Sequence, residues 1–172
     1  MPAKTSSFRV ALFGMDNDRC ETVMTVSADT QNKEIRLLTV EDNRGKICRT
    51  CETGGPTLAL AALSVMLNLK IEHYAAINFS DLGKLFDVIG EVSVGPRLLD
   101  KAQAVSCMRD SKQRTALLKA MCQKIVSLPP YRYPKLVKEC FALCQTDLTL
   151  SDVTALLPLA AKRPKIFLEN KL

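Results

Sequence analysis

Residues 56–69 carry no charge, and Thr57, Ser64 and Asn68 are the only polar side chains among them. As a helix this segment is about 21 Å long. A membrane core needs about 30 Å. An apolar helix of that length must therefore be covered on several sides by its own chain or line an apolar cavity. Gly54-Gly55-Pro56 opens it, with proline at a tolerated first-turn position. The sequence around it supplies a sheet as the cover.

Residues 8–13 read as a strand ending at Gly14. A polar loop follows over residues 15–20. Residues 22–27 and 34–40 are β-branched and apolar runs that form a hairpin across the turn at 29–33. Residues 73–78 are a fourth strand. Ser80 reads as the N-cap of a helix over 81–89, which Gly90 closes. A short strand at 91–94 and a short helix at 101–108 come next. Residues 111–128 are amphipathic, with Leu117, Ala120, Met121, Ile125 and Leu128 on one face, and Pro129-Pro130 stops them. Helices at 135–143 and 151–162, the second with a bend near Pro158, and an edge strand at 165–168 complete the chain. The near-continuous apolar strands require cover on both faces. The expected class is α/β: a mixed central sheet with helices on both faces, three layers, in one domain over residues 1–172.

The net charge of +6 is spread without a basic block. Such a field favours anionic partners: phosphates, anionic lipid or nucleic acid. No helix-turn-helix signature or basic stripe with interleaved aromatics is present, which argues against nucleic acid. The sequence has no P-loop, dinucleotide fingerprint or nucleophile elbow. Its one histidine, His73, opens a strand, a poor place for a Ser–His or Cys–His pair. Residues 1–7 are polar, so the native chain is either leaderless or preceded by an anchor.

Three clusters carry polar groups where elements end. Asp16, Asp18, Arg19 and Glu21 follow the first strand and read as a hard-cation loop or as a solvated turn. Residues 41–46 read as a charged turn in which Arg44 and Lys46 can meet a phosphate. Arg109, Asp110, Ser111, Lys112, Gln113 and Arg114 gather at a helix N-terminus, which suits an anion. There Gln113, four residues before Leu117, leads the inward stripe. The plainer reading is capping by Asp110 or Ser111 with solvated Lys112 and Arg114. Seven cysteines include Cys48-x-x-Cys51 and Cys140-x-x-x-Cys144, spacings used by metal and redox sites and equally by reduced buried thiols.

Taken in order, these residues resemble the LytR–CpsA–Psr family over residues 8–157. Phe13-Gly14-Met15-Asp16 is similar to the family's Leu-Gly-x-Asp. Arg19-Cys20-Glu21-Thr22-Val23-Met24 is similar to Arg-Ser-Asp-Thr-Ile-Met, and Leu37-Leu38-Thr39-Val40 to Leu-Leu-Ser-Ile. Lys46-Ile47 with Gly54-Gly55-Pro56 resembles Lys-Ile-Asn…Gly-Gly-Pro. Arg109 and Lys112-Gln113 fall on a late Arg and an Arg-Gln pair.

The resemblance implies an extracytoplasmic protein, membrane-anchored through an upstream helix. It implies transfer of an anionic glycopolymer from a polyprenyl pyrophosphate carrier to a peptidoglycan acceptor. The alternative is a catalytically degenerate module that binds a polyprenyl phosphate. Asp16, Arg19 and Arg109 are the implied catalytic set, with Arg44, Lys112, Gln113 and Arg114 as further substrate contacts. Magnesium is implied between Asp16 and Glu21. The lipid tail is implied in an apolar tunnel walled by Leu60, Leu63 and Leu67, facing Val88 or Leu117. Cys20, Cys48, Cys51 and Cys107 lie beside family motif positions and are expected to crowd one cleft mouth, able to pair as a disulfide or bind zinc.

The chain also departs from the pattern. Glu41-Asp42-Asn43 replaces Pro-Arg-Asp, and Arg44 lies two residues past the missing arginine. Ser111 stands for a second late arginine, and Lys112 for an arginine whose fork it lacks.

Overall fold

The computed structural model describes residues 7–40 and 45–171. The elements run β1 (Ser7–Asp16), β2 (Arg19–Asp29), β3 (Glu34–Val40), α1 (Lys46–Leu67), β4 (His73–Asn78), α2 (Phe79–Ile89), β5 (Val92–Val94) and β6 (Arg97–Leu99). They continue α3 (Lys101–Arg109), α4 (Ser111–Ser127), α5 (Tyr133–Leu143), β7 (Cys144–Thr146), α6 (Leu150–Ala161) and β8 (Lys165–Lys171). Six strands form one mixed sheet in the order β7-β4-β1-β2-β3-β8. β1–β2, β2–β3 and β4–β7 are antiparallel, while β1–β4 and β3–β8 are parallel. β5 and β6 make a separate small ribbon.

The expected α/β class with helices on both faces is the observed one. The two layers of helix are unequal. α1 covers one face, where Ile47, Cys51, Ala59, Leu63 and Leu67 pack with Ala11, Phe13, Val23, Val40 and Ala76. The opposite face carries the core of α2, α3, α4 and α5, against which Ile77 packs. Neighbouring Ala76 and Ile77 thus point to opposite layers, as strand alternation requires.

Several boundaries differ from the sequence reading. The expected loop at 15–20 shrinks to Asn17-Asp18, because β1 and β2 stay paired down to Asp16↔Arg19. Asn17 takes the left-handed conformation there, φ 56°, which a short polar side chain tolerates. The apolar helix begins ten residues early, at Lys46. It breaks at Gly55 (φ 85°, ψ 171°), so Pro56 does open a helical segment, the second half of α1. Asn78, not Ser80, caps α2: its Oδ1 accepts the Ser80 N–H at 3.4 Å. α6 continues through Pro158. β8 is the edge strand, fastened by the Arg36–Glu169 ion pair at 2.6 Å and by the Arg36 guanidinium over Phe167.

Gly14 lies where β1 meets α2. A Cβ there would sit 2.6 Å from the Phe79 ring and collide with the Thr22 methyl. Phe79 and Phe13 are fully buried and have no room to yield. Gly14→Ala is expected to lower stability by about 1–3 kcal/mol through overpacking. The measurement is the urea midpoint, which should fall at an unchanged slope.

Candidate functional site

β1 and β4 run parallel and end side by side, at Asp16 and Asn78. The polar groups gather at this end. The Asp16 carboxylate pairs with the Arg109 Nε at 3.4 Å, joining the end of β1 to the last residue of α3. Arg19 faces Asp16 across the hairpin, so both side chains project from the same side of the sheet. The register shifts after Gly14: Thr22 opposes Gly14 and Cys20 opposes Met15, leaving Glu21 as an extra residue on β2. This bulge re-aims Glu21, whose carboxylate lies 3.8 Å from the Arg19 Nε. Asp16, Arg19, Glu21 and Arg109 therefore form one partly exposed charged group.

The α4 residues divide. Asp110 caps α4 by accepting the Lys112 N–H at 2.9 Å, and its other oxygen accepts from Gln113 Nε2 at 2.7 Å. These two donors hold the Asp110 carboxyl below the usual carboxylate range, the Lys112 backbone N–H having the larger effect. The Gln113 Oε1 accepts from Cys107 Sγ at 3.1 Å and from Arg97 at 3.5 Å, in a polar hollow of about 380 Å³ that does not include Arg109. The expectation that Gln113 leads the buried stripe is corrected. Gln113 is exposed, and Arg114, three residues before Leu117, is the buried one. The Arg114 Nε donates to the Met108 carbonyl at 2.7 Å and its Nη1 to the Glu21 carbonyl at 3.1 Å, with the guanidinium over the Phe79 ring. Burial lowers its pKa, and Glu21 opposes that shift. Lys112 is exposed. Arg44 lies outside the described residues.

The expected tunnel wall needs a second correction. Leu63 and Leu67 are core residues and Leu60 packs against them, all on the α1 side of the sheet. Val88 and Leu117 belong to the opposite core, so the sheet separates the two sets. An apolar cavity of about 290 Å³ lies elsewhere, among Ala75, Ile125, Leu136, Leu156 and Ala160. It shares Val137, Phe141, Val153 and Leu157 with an open groove of about 650 Å³ between α5 and α6. No signal in α5 or α6 singled these residues out beyond ordinary amphipathic spacing.

Of the four thiols expected together, three meet. Cys20, Cys48 and Cys51 belong to the α1-side core. The Cys20 thiol is hydrogen-bonded with both Cys48 and Cys51, which with burial raises its pKa. The same bond from Cys20 lowers that of Cys51. Cys107 lies in the opposite core. Burial pushes Cys122 up to about 11, Cys140 to about 12 and Cys144 to about 11.

For magnesium the donors at hand are the Asp16 and Glu21 carboxylates. Among the described residues no group of three His, Cys, Asp or Glu side chains is placed to hold a metal.

Two outcomes follow for the α3–α4 junction. Arg114→Met is expected to cost about 1.5–3 kcal/mol, and Arg114→Lys should not restore it, since an ammonium lacks the fork. Both are read from urea unfolding. Asp110 is lowered in the fold, so its contribution is present above its unfolded pKa and is lost as pH falls through the folded one. Asp110→Asn is thus expected to lose less stability than the parent between neutral pH and about pH 3, measured by unfolding across that range.

The sequence matches the LytR_cpsA_psr family over residues 1–99. A curated relative, the polyisoprenyl-teichoic acid–peptidoglycan teichoic acid transferase TagU of Enterococcus faecalis, is 22% identical over 85% of this chain. The chain spans 63% of that relative's length. Among solved structures, TagV of B. subtilis aligns with a TM-score of 0.83 at 16% identity, covering 98% of this chain and 85% of that one. A structure of TagT bound to LIIa-WTA aligns with a TM-score of 0.77 at 16% identity, over 96% and 79% of the two chains. The sequence motifs, the shared fold and the family match over more than half the chain agree: the protein belongs to the LytR–CpsA–Psr family.

Proposed function

We propose that this domain binds a polyprenyl phosphate or pyrophosphate at the cell envelope and transfers its anionic glycopolymer to a peptidoglycan acceptor. The observation that carries the reading is the Arg109–Asp16 pair with Arg19 beside it, where β1 ends. An incoming phosphate replaces Asp16 as the partner of the Arg109 guanidinium, while Arg19 neutralises a second oxygen. Asp16, released, is then placed to take the proton of the acceptor hydroxyl. Phosphoryl transfer needs such positioning and charge neutralisation more than a covalent nucleophile. A magnesium ion held by Asp16 and Glu21 would add charge neutralisation at the same phosphate.

The lipid tail is assigned to the α5–α6 groove on the same side of the sheet, in place of the α1 wall. α4 links the two: Arg114 braces the polar end, and Ile125, about 16 Å along the helix, lines the cavity. A narrower reading, binding without transfer, is favoured by Arg114: two of its N–H groups are committed to backbone carbonyls. Asp42, Asn43 and Ser111, where the family has arginine or its neighbours, point the same way. Among the described residues no helix is long and apolar enough to cross a membrane, so membrane contact in this reading comes through the lipid or an upstream anchor.

The test is titration with geranylgeranyl pyrophosphate and, separately, inorganic pyrophosphate. Arg109→Ala is expected to weaken both by about 1.5–3 kcal/mol. Leu157→Asp should weaken only the prenylated ligand, and magnesium should tighten both. Equal affinity of parent and Arg109→Ala would overturn the headgroup assignment. Transfer and binding separate in a turnover assay with a lipid pyrophosphate donor.

A further inference from the structure

The two edges of the main sheet differ. β7 closes one edge with three residues, Cys144–Thr146. β8 closes the other with seven, Lys165–Lys171, and its register with β3 runs without a break. A long, regular edge strand is a template for further pairing, and natural sheets blunt such edges by shortening, bulging or covering them. β7 follows that rule and β8 does not.

The backbone groups that β8 leaves at the edge follow from one hydrogen bond. The Lys165 N–H donates inward, to the Lys33 carbonyl at 3.0 Å. Backbone groups alternate along a strand, so Phe167 and Glu169 also turn theirs toward β3. Ile166 and Leu168 therefore direct N–H and C=O outward. Pro164, the preceding residue of that outward series, has no N–H to give. The side chains alternate as well. Lys165, Phe167 and Glu169 are exposed on one face, where Arg36 lies over Phe167 and pairs with Glu169. Ile166 and Leu168 are half-buried on the other, where Ile166 lines an open hollow of about 490 Å³ with Gln123 and Val126 of α4.

We propose that β8 is the interface of a symmetric dimer, pairing antiparallel with β8 of a second copy of this chain about a twofold axis at Phe167. In that register the outward N–H and C=O groups of Ile166 bond with those of Leu168 of the second copy, and the reverse. Lys165 stands opposite Glu169 of the second copy on both sides of the axis, and the two Phe167 rings meet between these pairs. Glu169 keeps its Arg36 partner and gains a second cation. Moving the axis to Lys165 or to Glu169 sets like charges directly opposite each other, so the order of charges selects Phe167 as the centre. Leu168 of the second copy falls beside Ile166, over the hollow. The strand is thus complementary to itself, as a twofold contact requires. Pairing joins two six-stranded sheets into one. β8 runs in the direction of β1, so the charged ends of the two copies face opposite ways while both α1 layers share one side. This inference does not rest on the proposed transfer reaction.

The experiment is sedimentation velocity of the full chain over a concentration series, since an edge contact of this kind belongs to the small, transient class. The mass is expected to rise toward twice 19.0 kDa. Lys165→Glu and Glu169→Lys should each weaken the dimer about tenfold. Mixed in equal amounts, the two variants should recover it, because every opposed pair then has opposite signs. Mixing would not repair a folding defect. Phe167→Cys should cross-link to itself on mild oxidation, with the link mapped to residue 167, and Ile166→Cys should not. The proposal is overturned by a chain that stays monomeric up to its solubility limit, or by open oligomers that join β8 to β7. A dimer indifferent to both charge variants, or a cross-link through Ile166→Cys, overturns it equally.

Discussion

The polar end of the molecule is held in register by one buried guanidinium. Among the described residues Arg114 forms no ion pair with a carboxylate, though Glu21 and Asp110 lie near enough to favour its charge. Its N–H groups instead reach the carbonyls of Met108, at the close of α3, and Glu21, on the β2 bulge, with the Phe79 ring beneath. Removing a charge from water is costly, and two aligned carbonyls with an aromatic face offset much of that cost. The arrangement couples residues 93 positions apart in sequence. It sets the distance between the hairpin bearing Asp16, Arg19 and Glu21 and the helix junction bearing Arg109 and Lys112. Without that brace the Arg109–Asp16 pair would be an ordinary surface ion pair, which by itself orders little.

Topology does the rest of the positioning. Because β1 and β4 are parallel neighbours, the chain leaves both at the same end, and α2 begins there. Asn78 serves the junction twice, accepting from Ser80 as a helix cap and from the Asn17 N–H of the hairpin turn at 3.5 Å. Crevices beyond the carboxyl ends of parallel strands are recurrent binding places in α/β proteins for this reason. The strand order places β3 and β8 beyond β2, where they back the hairpin away from the charged end of β1.

The strands with long β-branched runs were legible from sequence, since tertiary context only lengthened them. β6 and β7 are three residues each, too short to show a period. α1 was read only from Pro56 because its first half offers just the short Ile47–Cys51 pair among Lys46, Arg49, Glu52 and small polar residues, and then meets Gly54-Gly55. The charged residues at the end of β1 lie in family-like motifs, and Asp16 and Arg109, far apart in sequence, do meet. The error between Gln113 and Arg114 has a simple cause. Both fit a helical repeat onto Leu117, at four and three residues, and no pattern says which phase the core adopts. A long arginine with carbonyls in reach won over a shorter amide that has Asp110, Arg97 and Cys107 at the surface.

The apolar surfaces show the same limit from the other direction. A segment without charge demands cover, but composition does not say whether protein or ligand supplies it. For α1 the protein does: Leu63 and Ala59 are completely buried against the sheet, while Leu58, Val65 and Met66 face outward. The open apolar surface is built by two unremarked helices. Val137 and Phe141 on α5, and Val153 and Leu157 on α6, are each four residues apart, so each pair forms one short ridge. Neither ridge is unusual by itself. They leave a groove because β7, between them in the chain, spans only three residues and brings the two helices back to the same edge of the sheet without closing them together. The open apolar groove is thus a property of the α5–β7–α6 connection, which no single helix encodes.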